Sequence, residues 1–164
     1  MSQFEIRRAS NEDLDKCVGV IREAFGTVAR EFHITKENCP TNRAFIEKIH
    51  LQEDFEKGNR MYVLVAGEKI VGFMQLERGE AGHYNLKNVA IASKQRHMGF
   101  GVALLCFAKD KVLELGGKVI EIGIIEENAV LKDWYAANGF KHMGTRKFDH
   151  LPFTVGFMEC VVGE

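Results

Sequence analysis

Between residues 89 and 105 the chain passes from an apolar strand, Val89-Ala90-Ile91, through a polar turn into a helical pattern, with Gly99 and Gly101 one residue apart at the entry. This handover constrains the fold more than any other stretch. Glycine takes left-handed dihedrals at little steric cost and carries no Cβ to keep a ligand away. The unpaired NH groups and the dipole at a helix start favour negative charge. The block therefore reads as a β-turn-α unit with an anion cradle in its turn. A Walker lysine run is missing, and a dinucleotide fingerprint would want a third glycine where Leu104 stands, so both of those folds are set aside.

Around this unit, short β-rich runs alternate with amphipathic stretches. Phe4–Arg8 alternates apolar and polar residues like a half-buried strand, and Ser10 before Asn11-Glu12-Asp13 marks a helix start, predicting a helix over roughly 11 to 25. Residues 26 to 43 lack periodicity; a second helix then carries Phe45, Ile46, Ile49 and Leu51 and stops at Gly58-Asn59. Met61–Ala66 and Lys69–Leu76, separated by Gly67-Glu68, predict a hairpin, and Leu86–Ile91 a further strand. Beyond Gly101, apolar residues at Leu104, Leu105, Ala108, Val112 and Leu115 put one helix face on a core, and Gly116-Gly117 ends that helix. Val119–Ile125 is a β-branched strand, a short helix spans about 129 to 137, and strands follow near 141–149 and 153–162. The predicted order is β-α-α-β-β-β-α-β-α-β-β, an α/β (α+β) chain.

No repeat, low-complexity run or linker interrupts residues 1–164, which predicts a single domain. With 22 Lys+Arg against 23 Asp+Glu, the net charge of −1 supplies no general attraction for a nucleic-acid backbone or an anionic membrane, and neither partner is expected. The first residues reach charge too soon for a signal core, and no run approaches the ~18 apolar residues of a membrane span, so a cytoplasmic location is expected. Cys17, Cys39, Cys106 and Cys160 lie far apart without a CxxC pair, which fits neither a zinc knuckle nor a disulfide scaffold. They are expected as reduced, small core residues, Cys106 within the apolar helix and Cys160 in the last strand; a nucleophile at Cys39 is the alternative.

Arg96-x-x-Gly99-x-Gly101, placed after Val89-Ala90-Ile91, resembles the Gln/Arg-x-x-Gly-x-Gly/Ala acetyl-CoA motif of the GNAT N-acetyltransferase superfamily. A second segment agrees: Asn128-Ala129, then Trp134-Tyr135-Ala136-Ala137-Asn138-Gly139-Phe140, is similar to that family's Asn-x-x-Ala and Phe-Tyr-x-x-x-Gly-Phe run, with Trp134 where phenylalanine is common. Two motifs in the family's order and spacing are far more specific than either alone. The resemblance covers about Met61 to Phe140, and the element order on both sides of it agrees.

The resemblance implies a mixed, mainly antiparallel twisted sheet of about seven strands with about four helices. In it two parallel strands, ending near Ile91 and Ile125, splay apart and admit the pantetheine arm of acetyl-CoA. It implies that backbone groups of Val89, Ala90 and Ile91 pair with the pantetheine amides. It further implies that NH groups of Arg96, His97, Met98, Gly99, Phe100, Gly101 and Val102 hold the pyrophosphate, and that Asn128 reaches the cofactor from the other side. No metal is implied. A strand NH near Val89 is the expected oxyanion donor for direct attack of an amine on the thioester. Tyr135 matches the family's general-acid tyrosine. Ordinary values of about 10 for a phenol and about 8.5 for a thiol make that proton transfer uphill by roughly 2 kcal/mol, so Tyr135 must be tuned or must act mainly as a hydrogen-bond donor. The competing reading is an aromatic packed on the sheet, and Leu131, Trp134 and Phe140 are expected as core.

One family feature is missing. Members with a strand-borne catalytic glutamate carry it six residues before the position aligned with Ile91, and here that residue is Asn85. Asparagine cannot take a proton, Lys87 on the same strand face is no better at neutral pH, and His83 falls beyond the predicted strand. His33, Glu77, Asp149 or a relayed water remain as bases; otherwise deprotonation rests on the acceptor's own equilibrium. By resemblance, residues 26 to 58 form one wall of the acceptor site, where His33, Asn38 and Glu47 suit many amines. Lacking a separate recognition domain, the chain is expected to acetylate a primary amine of a small molecule. The alternatives are a protein N-acetyltransferase and a non-catalytic acyl-CoA-binding sensor, against which Tyr135 argues. A homodimer is compatible with all of these.

Overall fold

The computed structural model describes residues 3–163; Met1, Ser2 and Glu164, which belong to the span expected as one domain, lie outside the described residues. Seven strands form one sheet. β1 (Phe4–Arg8), β2 (Arg60–Ala66), β3 (Lys69–Arg78) and β4 (His83–Ile91) run as successive antiparallel neighbours. β4 meets β5 (Val119–Ile125) in parallel, β5 pairs antiparallel with β7 (Thr154–Val161), and β6 (Lys141–Lys147) is the edge beyond β7. The expected sheet, with its single parallel pair, is therefore present.

Strand alternation gives the sheet two faces, and each buries its own apolar set. α3 (Phe100–Glu114) presses Phe100, Leu104, Leu105, Ala108 and Val112 onto Met74, Leu76, Leu86, Ile120 and Ile122, a core that α4 (Ala129–Ala137) completes with Tyr135. On the opposite face, α1 (Leu14–Glu31) and α2 (Lys48–Glu56) bury Leu14, Cys17, Ile21 and Leu51 against Met61, Val63, Phe73 and Ala90. Each such leucine or isoleucine contributes on the order of 1.5–3 kcal/mol, so the helices hold to the sheet by packing rather than by propensity. None of the helices is long and apolar enough to cross a membrane among the described residues.

Four expectations are corrected. α1 runs to Glu31 rather than about residue 25: Gly26 and Thr27 blur its periodicity, but Ala29 is buried in a third cluster with Ile34 and Cys39. α2 starts only at Lys48, because Asn42 caps the Ala44 NH and turns Arg43–Phe45 into a separate 3-10 helix. His83 lies inside β4, since Ala81 and Gly82 both take positive φ and close the β3–β4 turn early. Cys106 is exposed, because the apolar run of α3 extends around the helix to its solvent side. The other three thiols are buried as expected: Cys39 sits in the third cluster, out of reach as a nucleophile, and desolvation pushes Cys17 up to about 12.

Two irregularities in β4 position everything that follows. Phe73 stands opposite Ala90 and Gln75 opposite Lys87, so Met74 faces two residues of β4, Asn88 and Val89. This bulge gives Asn88 a φ of +56°, which asparagine tolerates better than most residues. Its amide donates to the Gln75 Oε1 at 2.6 Å, and the Gln75 Nε2 donates to Asn59 Oδ1 and Asp54 Oδ2, both at 3.0 Å. Gln75 is fully buried, with Asn59 and Asn88 nearly so. The second irregularity is a gap. The β4–β5 register holds for His83↔Val119, Tyr84↔Ile120 and Asn85↔Glu121, then stops.

Gln75→Leu should be strongly destabilising, because it leaves the buried Asn88 and Asn59 amides without their partner. Each orphaned group costs about 1–3 kcal/mol, so a loss of about 2–4 kcal/mol in urea unfolding is expected. A loss below about 1 kcal/mol would show that the network does not hold the bulge.

Candidate active site

Beyond the Asn85↔Glu121 rung, Leu86–Ile91 of β4 and Ile122–Ile125 of β5 have no strand between them. Their backbones on the facing sides are left to another partner, which is a vacancy shaped for an extended, amide-bearing chain. Val89 and Ile91 line it from β4 and pack against the α3-side core, while the intervening Ala90 is buried under α1. The bulge produces this arrangement: Asn88 and Ala90 turn to the α1 face, and Val89 and Ile91 to the gap and the α3 face.

At the open end of the gap stands the glycine turn. Arg96 is extended, His97 and Gly99 take φ of +65° and +83°, and α3 begins at Phe100 with no side-chain cap on its first turn. The first-turn NH groups of α3 therefore point outward without side-chain partners, as an anion site requires. Exposed Met98 and Val102 flank them as apolar rims. Phe100 is buried edge-to-face on Phe4, which fixes where the helix starts. A Cβ on Gly99 would meet open space beside the cradle, whereas a Cβ on Gly101 would come within 3.0 Å of the Trp134 ring. Gly101 thus serves the close approach of α4 to α3. The Arg96 side chain is also committed elsewhere: its Nη2 donates to Ala24 O at 3.2 Å and to Thr27 Oγ1 at 3.0 Å, tethering the turn to α1.

α4 supplies the second set. Asn128 is buried, and its Oδ1 accepts from the Leu131 NH at 3.2 Å, which caps α4. Tyr135 is buried edge-to-face against both Trp134 and Phe140. Burial pushes its phenol well above the ordinary value, since an anion there would be stripped of water.

The opposite face of the same gap is polar. Ile120, Ile122 and Ile124 face the α3 side, which turns Glu121 and Gly123 the other way, beside His83 and Asn85 of β4 and Phe157 and Glu159 of β7. His83 Nδ1 lies 2.7 Å from Glu121 Oε1. Lys87 is paired with Glu77 at 2.8 Å, which occupies one of the expected bases. Two others, His33 and Asp149, are exposed. The α1–α2 loop closes one end of this face, where Ile34 and Cys39 pack with Ile125, Leu151 and Phe153.

Residues 31–159 match the family model described as an acetyltransferase (GNAT) domain. The chain belongs to the GNAT acetyltransferase family. It is 25% identical over 162 residues to an uncharacterized N-acetyltransferase in the pepI 3′ region of Lactobacillus delbrueckii subsp. lactis, covering 90% of each chain. Its fold is similar to that of the Escherichia coli ribosomal-protein-S18-alanine N-acetyltransferase, with a TM-score of 0.79, 15% identity and 99% and 96% of the two chains covered. It is also similar to the PaiA N-acetyltransferase of Thermoplasma acidophilum in complex with coenzyme A, with a TM-score of 0.74, 22% identity and 97% and 99% covered.

For this GNAT chain the glycine geometry separates two roles that sequence merges. Gly99→Ala should cost about 1–2 kcal/mol through its left-handed backbone alone. Gly101→Ala gains about 1 kcal/mol of helix propensity and loses a similar amount against Trp134, so its net change should stay within about 1 kcal/mol. Urea midpoints of the two variants check this. Equal, large losses would show that both glycines answer to packing.

Proposed function

We propose that this acetyltransferase moves the acetyl group of acetyl-CoA to a primary amine of a small molecule by direct attack on the thioester. The observation that carries the reading is the continuity of cradle and gap: unpartnered NH groups at the α3 start lead directly to unpaired strand backbone on β4. The NH groups from Arg96 to Val102 suit a pyrophosphate, and the backbone of Val89, Ala90 and Ile91 suits the amides of a pantetheine arm laid along the missing rungs. Asn128, held as the α4 cap, flanks the arm from the β5 side. In this reading residues 1–164 form a single acetyltransferase domain.

In this reading the oxyanion is stabilised by a strand NH near Val89, beside the bulge. Tyr135 works as a donor that keeps its proton. Its phenol is harder to ionise than the thiol it would serve, so full proton transfer to the leaving thiolate is strongly uphill. A hydrogen bond from the hydroxyl to the sulfur still lowers the barrier, because the sulfur carries more charge in the transition state than in the thioester. On the acceptor side the α1–α2 loop packs Ile34 and Cys39 against Ile125, Leu151 and Phe153, and the small amine is taken to enter beside this wall, over the exposed Gly123 and Phe157.

Calorimetry with acetyl-CoA should show one site per chain, and Gly99→Ala should weaken it at least tenfold in a folded variant. Wild-type affinity in that variant would remove the cradle. Tyr135→Phe should bind acetyl-CoA normally and lose about ten- to a hundredfold in kcat, the value of a hydrogen bond to a charged group. Unchanged turnover with chemistry rate-limiting would leave Tyr135 as core. Acceptors are sorted by amine-dependent CoA release with spermidine, lysine, phosphinothricin and a peptide with N-terminal alanine. Release with the peptide alone would favour a protein acetyltransferase, and binding without release would favour a sensor.

A further inference from the structure

The acceptor of an acetyl group arrives as an ammonium ion, and the proton must go somewhere. Asn85 cannot receive it, but the residue directly across the parallel rung can. Glu121 sits opposite Asn85 on the last paired rung, at the point where the gap opens. Its side chain lies on the face opposite Tyr135, because its neighbours Ile120 and Ile122 join the core that holds Tyr135. The amine adds to one face of the planar thioester while the sulfur lies in that plane, so its base and the donor to the sulfur are separate groups, and the sheet carries a carboxylate on one face and a phenol on the other.

Resting on the acetyl-transfer reading above, we propose that Glu121, oriented by His83, takes the proton from the acceptor's ammonium group. His83 Nδ1 holds one carboxylate oxygen at 2.7 Å and leaves the other for the substrate. Glu159 faces Glu121 across the β5–β7 rung, and the polar atoms of His83, Glu121 and Glu159 all lie within 4.8 Å of one another. Two carboxylates beside one histidine draw a cation to this spot. Other charged groups on this face of the neighbouring strands are Lys87 of β4, paired with Glu77 of β3, and Lys141 and Arg146 of β6, in register with Glu159 and Val155, the Arg146 guanidinium lying over the Phe148 ring. Glu121 is half-buried and next to the exposed Gly123, so substrate and water can both reach it.

In the step itself, an N–H bond of the ammonium breaks and its proton passes to the free oxygen of Glu121, directly or through one water. The lone pair released forms the N–C bond to the thioester carbonyl. Collapse of the tetrahedral intermediate breaks the C–S bond, and the thiolate leaves on the Tyr135 side. The nitrogen sheds a second proton as the amide forms. That proton ends on the thiol, and the first is released from Glu121 to solvent. His83 is a positioning residue.

The test is the pH profile of kcat/KM for wild type and Glu121→Gln, with whichever panel amine the wild type acetylates. An alkyl amine with a pKa of about 10.4 is neutral in only about one molecule in 2500 at pH 7. Without a base, kcat/KM should therefore rise about tenfold per pH unit up to the pKa of the amine. The wild type should level off earlier, and Glu121→Gln should follow the unassisted line, about 10²- to 10⁴-fold lower at pH 7. Acetyl-CoA affinity and the unfolding midpoint should be unchanged. Glu121→Asp, which keeps the charge on a shorter stem, should recover part of the loss, and His83→Ala should shift the wild-type inflection without altering acetyl-CoA affinity. A Glu121→Gln profile that superimposes on wild type overturns the assignment while leaving acetyl transfer intact. A wild type that binds acetyl-CoA and acetylates nothing in the panel overturns both readings. Wild-type turnover abolished by EDTA would also overturn it, by making the three side chains metal ligands instead.

Discussion

The interaction on which the rest of the structure depends is the hydrogen bond from the Asn88 amide to Gln75, deep between β3 and β4. It holds the one extra residue of β4 in a left-handed conformation that costs energy in isolation. Because Gln75 is in turn bonded to Asp54 and Asn59, the bulge is fastened to the end of α2 and to the entry of β2. A fully satisfied buried network of this kind is rigid, since any departure leaves a polar group unpaired in a low dielectric. The consequence is directional. β4 and β5 have parted by Leu86, two residues before the bulge, and the bulge then sets which β4 side chains face the gap: Val89 and Ile91 rather than Asn88 and Ala90.

That parting divides the chemistry by dielectric. On the α3–α4 face, Tyr135 is packed among aromatics, and the same burial that raises its pKa keeps it a neutral donor. On the other face, Glu121 and His83 remain in contact with water. A single buried face could not hold both, because desolvation that suits a permanent donor penalises a group that must carry charge.

Much of this was legible in the chain, and the failures are instructive. The glycine turn and the order of elements along the chain follow from local patterns, because turn chemistry and alternation are local properties, whereas the splayed sheet and the role given to Tyr135 are implied by the family resemblance. The register of a parallel pair is not. Glu121 is visible in sequence as one acid among β-branched residues, but nothing local says that it stands opposite Asn85. The entry of His83 into its strand is hidden from sequence, because Ala81 adopts a positive φ that its residue type does not advertise. Gly99 and Gly101 look equivalent in the motif; only the position of Trp134, more than thirty residues later, shows that one faces the cradle and the other a neighbouring helix. The exposed Cys106 has the same origin, since an apolar run on a helix does not say how much of its circumference is covered.

α1 turns these separate features into one mechanical unit. Near its middle, the Glu23 carboxylate accepts the Ser93 NH at 3.0 Å and the Ser93 hydroxyl, while Ala24 and Thr27 receive the Arg96 guanidinium. Nearer its end, Ala29 packs into the cluster that walls the acceptor face. The helix therefore grips the turn proposed as the anion cradle and, one to two turns later, supports the proposed acceptor wall. Hydrogen bonds to charged groups are worth about 1.5–3 kcal/mol when shielded and less at the exposed Glu23, so no single contact fixes the cradle. Together they orient the turn before any ligand arrives, which removes an ordering cost from binding. The constraint is geometric: the Arg96 side chain holds α1, and the backbone of the turn stays free for the anion of the proposed function.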